Sequence, residues 1–168
     1  MVNEPAFKIV PLELSQDCSA FNCGEAELND WLRRHALSSG KSGGARTFVA
    51  VDPSNCVIAY YAIAAQSVVA GSAPVRLRKG MPRHPIPVLL IARLAVDQNF
   101  KGMGLGAGLL KNALLRCLNA SGEVGVRAVI VDAKNEAARS FYEYYDFEVF
   151  PENPKRLYLL IKDMRKNL

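Results

Sequence analysis

From Val88 to Val96 the chain is almost continuously apolar, broken only by Arg93. After four intervening residues it enters Lys101-Gly102-Met103-Gly104-Leu105-Gly106, with a further glycine at Gly108. An apolar run of this kind predicts a central sheet strand buried on both faces. Beyond the glycines a helix is predicted, because Leu105, Leu109, Leu110, Ala113, Leu114, Cys117 and Leu118 make one apolar stripe. Alternate glycines let backbone N–H groups converge on an anion with no side chains in the way. A helix starting near Gly104 adds its positive dipole end. The bend is therefore predicted to be a phosphate or pyrophosphate cradle, to which Lys101 can add a full charge. Close helix–sheet packing would account for one glycine, but poorly for several at alternate positions.

The spacing restricts the ligand. Gly102-x-Gly104-x-x-Ala107 formally matches a dinucleotide-binding turn. That turn belongs tight against its strand in an early βαβ unit, with an acid about 20 residues on. Here it lies past the middle of a chain too short for a six-stranded doubly wound sheet. No Gly-x-x-x-x-Gly-Lys-Ser/Thr sequence is present.

The remaining pattern predicts a loop over 12–24, then a helix over 25–37 with Leu28, Trp31, Leu32 and Ala36 on one face. A flexible loop follows over 38–44. Strands at 47–51 and 57–65 form a hairpin around Asp52-Pro53-Ser54-Asn55. A basic, proline-bearing segment occupies 73–87. Then come a buried strand at 128–131, a short helix over 135–145 and strands at 147–150 and 156–161. In that short helix Ala138, Phe141, Tyr142 and Tyr145 share a face. The order α, β, β, β, α, β, α, β, β predicts a mixed α/β (α+β) fold forming one domain over 1–168. Its single mixed twisted sheet is flanked by helices on both faces.

Composition excludes several classes. With 50% apolar and 22% charged residues, the 168-residue chain reads as soluble and globular rather than disordered. No apolar run reaches the ~20 residues that span a bilayer, so no membrane partner is expected. The stretch from Met1 to Pro11 carries Glu4 and no basic-then-apolar leader, which predicts no secretory signal and a cytoplasmic location. Cys18, Cys23, Cys56 and Cys117 form no Cys-x-x-Cys pair and are expected to be reduced thiols. His35 and His84 are the only histidines, no Cys/His cluster exists, and no metal site is predicted.

Three motifs in order over 88–150 resemble the GNAT superfamily of N-acetyltransferases. Leu94-Ala95-Val96-Asp97 looks like the family strand whose backbone pairs with pantetheine. Lys101 to Gly106 looks like its Gln/Arg-x-x-Gly-x-Gly/Ala turn, with lysine at the Gln/Arg position. Asn135 to Phe147 looks like its second cofactor motif, with Asp146 where glycine is usual. That position often needs a positive φ. The resemblance implies a GNAT acetyltransferase domain, with about six to seven strands in its sheet, and acetyl-CoA as cofactor. Its implied contacts are Leu94, Ala95, Val96, Lys101, Gly102, Met103, Gly104, Leu105, Gly106, Asn135 and Phe141. It also implies an oxyanion-stabilising backbone N–H at or beside Val96, and Tyr142 as general acid toward the leaving thiolate. Read from the residues alone, Tyr142 is a core tyrosine, since it lies on the apolar helix face. No general base stands out, which suits an α-amine acceptor of pKa about 7.7–8.0.

The net charge is +5. Arg76, Arg78, Lys79 and Arg83 cluster with no acid among them, and Arg33, Arg34, Lys41, Arg46 and Arg93 are candidates for the same face. Arg93 lies inside the apolar strand, where a lone charge is costly, and is expected to pair with a phosphate or carboxylate. A closer resemblance then covers nearly the whole chain. Phe21-x-Cys23-Gly24-x-x-x-Leu28-x-x-Trp31-Leu32, Ala45-Arg46-Thr47-Phe48-Val49, Pro85-Ile86-Pro87-Val88, Ala92 to Asp97 and Gly125-Val126-Arg127-Ala128 are similar to the GNAT toxins of type II toxin–antitoxin systems, the TacT-like group. The resemblance implies acetylation of the α-amine of aminoacyl-tRNA, blocked translation, a ribbon-helix-helix antitoxin and a homodimer. It implies tRNA contacts by Arg33, Arg34, Arg46, Arg76, Arg78, Lys79 and Arg93, in keeping with cations meeting phosphates. Two other functions stay open: acetylation of a protein N-terminus or small amine, and a non-catalytic RNA- or antitoxin-binding module.

Overall fold

The computed structural model describes residues 7–167. Of the leader-free stretch read over 1–11, residues 1–6 lie outside the described residues. Seven strands form a mixed sheet in the order β1-β2-β3-β4-β5-β7-β6. They are β1 (Lys8–Pro11), β2 (Arg46–Val51), β3 (Val57–Val68), β4 (Ile86–Val96), β5 (Ala128–Asp132), β6 (Glu148–Phe150) and β7 (Asn153–Leu160). The helices are α1 (Ala26–Arg34), α2 (Ala36–Lys41), α3 (Val75–Arg78), α4 (Leu105–Ser121), α5 (Glu136–Tyr144) and α6 (Ile161–Asn167). The fold class read from the sequence is the one observed.

The described residues divide into two compact units. The first, residues 7–64 with 92–113, contains the antiparallel pairs β1–β2 and β2–β3, Lys8 opposite Val51 and Arg46 opposite Ile63. Its core gathers Phe21, Leu32, Val49, Val57, Tyr60 and Ala95. The second, residues 65–91 with 114–167, contains the parallel β4–β5 ladder from Val88↔Ala128 to Ile91↔Val131, and the antiparallel β5–β7 and β6–β7 pairs. Its core gathers Leu77, Ile86, Val88, Ile130, Tyr158 and Leu160. β3, β4 and α4 each run through both units.

The departures from the sequence reading have local causes. The helix predicted over 25–37 breaks at His35, whose φ of −122° lies outside the helical range, and resumes as α2. Residues 38–41, read as loop from their serine and glycine content, are therefore helical. Burial of Ala36 outweighs their poor propensity. β1 escapes the sequence reading because four residues carry too little alternation. It exists because its register with β2 exists. β3 continues through the polar Gln66 and Ser67 to Val68. β4 begins at Ile86, so Pro87 is a strand residue. Its missing N–H matters little, and its C=O accepts from the Arg127 N–H (2.8 Å). The basic segment contains the single turn α3, and the chain closes on α6, neither of which the pattern indicated.

Candidate active site

The link from β4 to α4 is a left-handed bend. Gly102 and Gly104 have φ of +79° and +78°, where side chains are strained. A Cβ placed on either would meet nothing within 4 Å. The glycines are thus not there to let another element pack close. They keep the space before the α4 N-terminus open. At Gly106 a Cβ would make only an ordinary contact with Val96 Cγ2, at 3.9 Å. Met103 is exposed, and the 17-residue α4 carries no acid in its first turn. An open run of backbone amides at the positive end of a long helix fits a diphosphate.

The entry to this bend is fixed by a buried carboxylate. Asp97 is 6% exposed and accepts from the N–H groups of Asn99 (2.9 Å) and Asn22 (3.0 Å). Lys101, expected to offer its charge to a phosphate, donates from Nζ to the Cys23 carbonyl (3.1 Å). Its side chain ties the bend to the 22–24 loop.

On β4, Leu94, Ala95 and Val96 lie beyond Ile91, where the β5 ladder ends. Ala95 is buried, and Leu94 and Val96 are half-buried. Arg93, expected to meet a phosphate or carboxylate, makes an aromatic contact. Its guanidinium sits 4.0 Å from the centroid of the Trp31 ring, and Trp31 stacks on Tyr60 at 6.0 Å and 16°. The charge on this apolar strand is met by an aromatic face. Tyr60 donates to the Leu28 carbonyl (2.7 Å), and burial raises its phenol pKa.

In the second unit α5 carries Tyr142. Asn135 caps the helix, its Oδ1 accepting from the Ala138 N–H (2.8 Å). Asp146, at φ +71°, ends it in the left-handed conformation that the motif implied for this position. Tyr142 is buried between Phe141 (5.2 Å, 69°) and Phe147 (5.4 Å, 62°), both edge-on. Burial pushes its phenol up to about 12. Tyr144 is exposed and Tyr145 half-buried, so Tyr142 alone of the three has a dry environment.

The basic residues separate into engaged and available groups. Arg76, read as a tRNA contact, pairs with Glu148 and with Asp163 (3.0 Å). Arg33, read likewise, donates to the Phe21 carbonyl (2.7 Å). Arg127 holds the end of α3 through the carbonyls of Leu77, Arg76 and Lys79, each at 3.0 Å. By contrast Arg78, Lys79 and Arg83 are exposed. With His84, Met81 and Val75 they border a hollow of about 710 Å³ within the second unit. In the first unit Arg34 and Arg46 are exposed, and Arg46 borders a smaller hollow with Lys41.

The acetyltransferase (GNAT) domain model matches residues 48–168. The chain belongs to the GNAT acetyltransferase family. It is 44% identical over 151 residues to the tRNA-acetylating toxin of Mycobacterium tuberculosis, covering 90% of each chain. Among solved structures it matches AtaT complexed with acetyl-methionyl-tRNAfMet, with a TM-score of 0.89, 28% identity, and coverage of 96% of this chain and 98% of that one. It also matches a tyrosine-to-phenylalanine mutant of AtaT bound to the C-terminus of the antitoxin AtaR and acetyl-CoA. That TM-score is 0.83, with 26% identity and coverage of 97% and 98%.

For this GNAT chain, sequence reasoning assigned no role to Asn22, Asn29 and Arg127, and took Asp97 only as the end of a motif. Asn29 sits on α1 yet is buried, and a buried amide always needs partners. Residue type alone carried no signal for the other two. The capping role of Asn135 makes a quantitative expectation. Asn135→Ala should cost about 1 kcal/mol of stability, measured by urea unfolding followed by circular dichroism.

Proposed function

We propose that this chain is an acetyl-CoA-dependent N-acetyltransferase that acetylates the α-amine of aminoacyl-tRNA and so blocks translation. The observation that carries the cofactor part is the bend itself: two left-handed glycines with open space above them at the start of α4. The acceptor part rests on the likeness to a tRNA-acetylating toxin and to AtaT with its acetylated aminoacyl-tRNA. We treat both units as one acetyltransferase domain, because the family match runs through both.

Acetyl-CoA, when bound, supplies the activated acetyl group. The amides of Gly102 to Gly106 would hold its diphosphate, with Lys101 and Met103 bordering the bend. The backbone of Leu94, Ala95 and Val96 would pair with pantetheine, and an N–H at or beside Val96 would face the oxyanion. Phe141 and the Asn135 cap hold α5, which carries Tyr142. By the likeness of its motif, Tyr142 would give its Oη proton to the departing thiolate; its phenol is protonated at neutral pH. The acceptor α-amine needs no strong base, since part of it is already neutral near pH 7.7–8.0.

For the tRNA, the exposed Arg34, Arg46, Arg78, Lys79 and Arg83 are the phosphate contacts. Arg33, Arg76 and Arg93 act through the structure that they hold together. The likeness to AtaT bound to AtaR supports an antitoxin as the neutralising partner. A ribbon-helix-helix antitoxin, a homodimer and a cytoplasmic site of action belong to the same reading. No helix among the described residues is long and apolar enough to cross a membrane.

Radiolabelled acetyl-CoA should transfer its label to charged tRNA and leave deacylated tRNA unlabelled. Label on proteins or small amines alone would replace this reading with a different acceptor. Tyr142→Phe should keep acetyl-CoA affinity in calorimetry while turnover falls by roughly 10²–10⁴. The wild-type rate should rise with pH as the α-amine loses its proton around pH 7.7–8.0. It should then show no fall from Tyr142 ionisation below about pH 10. Neutralising Arg78, Lys79 and Arg83 together should flatten the salt dependence of tRNA binding by roughly one slope unit per lost contact.

A further inference from the structure

We propose that Asp97, Asn22 and Asn29 are positioning residues for the glycine-rich bend, forming a brace that holds it in its diphosphate-binding shape. The proposal rests on the reading that this bend binds acetyl-CoA, and it adds the device that keeps the bend ordered. All the residues involved lie in the first unit.

A bend with glycines at 102 and 104 has an entropic problem. Glycine loses more conformational freedom on ordering than any other residue. Nothing packs on these two from the ligand side. On one side α4 anchors the bend. On the other, restraint has to come through residues 97–101. There the network is dense and reaches far along the chain. The two Asp97 carboxylate oxygens accept from different amides, Asn99 N–H and Asn22 N–H. The Asp97 N–H donates to the Ile58 carbonyl (2.9 Å), and the Gln98 N–H to the Asn22 carbonyl (2.9 Å). Lys101 Nζ reaches the Cys23 carbonyl. The 22–24 loop is held in turn by Asn29 of α1. Asn29 Oδ1 accepts from the Cys23 N–H (2.9 Å), and its Nδ2 donates to Asn22 Oδ1 (3.1 Å). Asn22 Oδ1 also accepts from the Gly24 N–H (2.9 Å).

The loop is fitted to the bend sterically as well. Gly24 has φ +91°, and a Cβ on it would stand 2.6 Å from Gln98 Nε2. Asp97 and Asn29 are two of the three buried polar or charged side chains among the described residues, and both face this junction. Burying two such groups is unfavourable unless all their bonds are made, which specifies a single geometry. A bend fixed before the ligand arrives does not have to be ordered on binding.

The test compares the wild-type chain with Asp97→Asn and Asn29→Ala. Asparagine at 97 leaves one acceptor oxygen and turns an NH2 group toward an amide that needs an acceptor. Thermal unfolding first establishes the temperature at which each variant is folded. Steady-state kinetics then use two donors, acetyl-CoA and acetyl-pantetheine, which carries the same thioester without the diphosphate. The expected result is a KM for acetyl-CoA raised roughly tenfold, with kcat and the KM for acetyl-pantetheine within about twofold of wild type. Backbone order parameters of residues 101–106 in the ligand-free chain should drop from about 0.85 toward 0.6 in both variants. Unchanged order in the bend overturns the brace, as does an equal change in KM for both donors or no change in either. If the wild-type chain takes up no acetyl-CoA, the cofactor reading fails, and the order parameters alone decide whether the brace exists.

Discussion

Between the last residue of β4 and the first of α4 the backbone has to enter left-handed space twice, at Gly102 and Gly104, and it does so with nothing packed above it. Backbone amides aimed at open space bind an anion only if they stay aimed, and glycine gives them no help. Rigidity is imported from a buried carboxylate at Asp97, from a lysine tied to a distant carbonyl, and from a 17-residue helix whose N-terminus is the bend itself. The chemistry assigned to the bend is that of its main chain. The side chains around it do structural work.

The same division runs through the basic residues. A guanidinium has a fixed fork of donors, and the fold uses several as mechanical parts. Arg127 gathers three carbonyls at the end of α3, Arg76 spans two carboxylates, Arg33 holds the Phe21 carbonyl, and Arg93 lies on Trp31. Arg78 and Lys79 project from a turn that Arg127 clamps by its main chain, so the exposed charges sit on a fixed base. Net charge therefore overstates the number of groups available to a polyanion.

Tyr142 depends on a third local device. α5 is a nine-residue helix, started by the Asn135 cap and stopped by the left-handed Asp146. Those ends set which of three nearby tyrosines turns inward. Edge-on rings of Phe141 and Phe147 surround Tyr142 and exclude water, which disfavours the phenolate. The phenol therefore stays protonated at neutral pH.

Much of this was legible in the amino-acid order. The β4–bend–α4 unit, the hairpin of β2 and β3, and α5 with its inward tyrosine all follow from periodicity and glycine placement. These are local properties, and local sequence carries them. The apolar run, the alternate glycines and the Asn135-to-Phe147 motif pointed to the proposed cofactor residues for the same reason. Other features depend on partners far along the chain. β1 exists because β2 pairs with it, and α2 extends because Ala36 is buried. Arg33, Arg76 and Arg93 look identical in sequence to Arg34, Arg78 and Arg83. Only the fold supplies the carbonyl, the carboxylates and the indole that engage the first three. The sequence by itself determined the β4–bend–α4 unit, the β2–β3 hairpin and α5, and pointed to the bend as an anion cradle. The tertiary structure alone decided which polar side chains brace that bend and which cations stay exposed, because a hydrogen bond between residues 22 and 97 leaves no trace in the spacing of either.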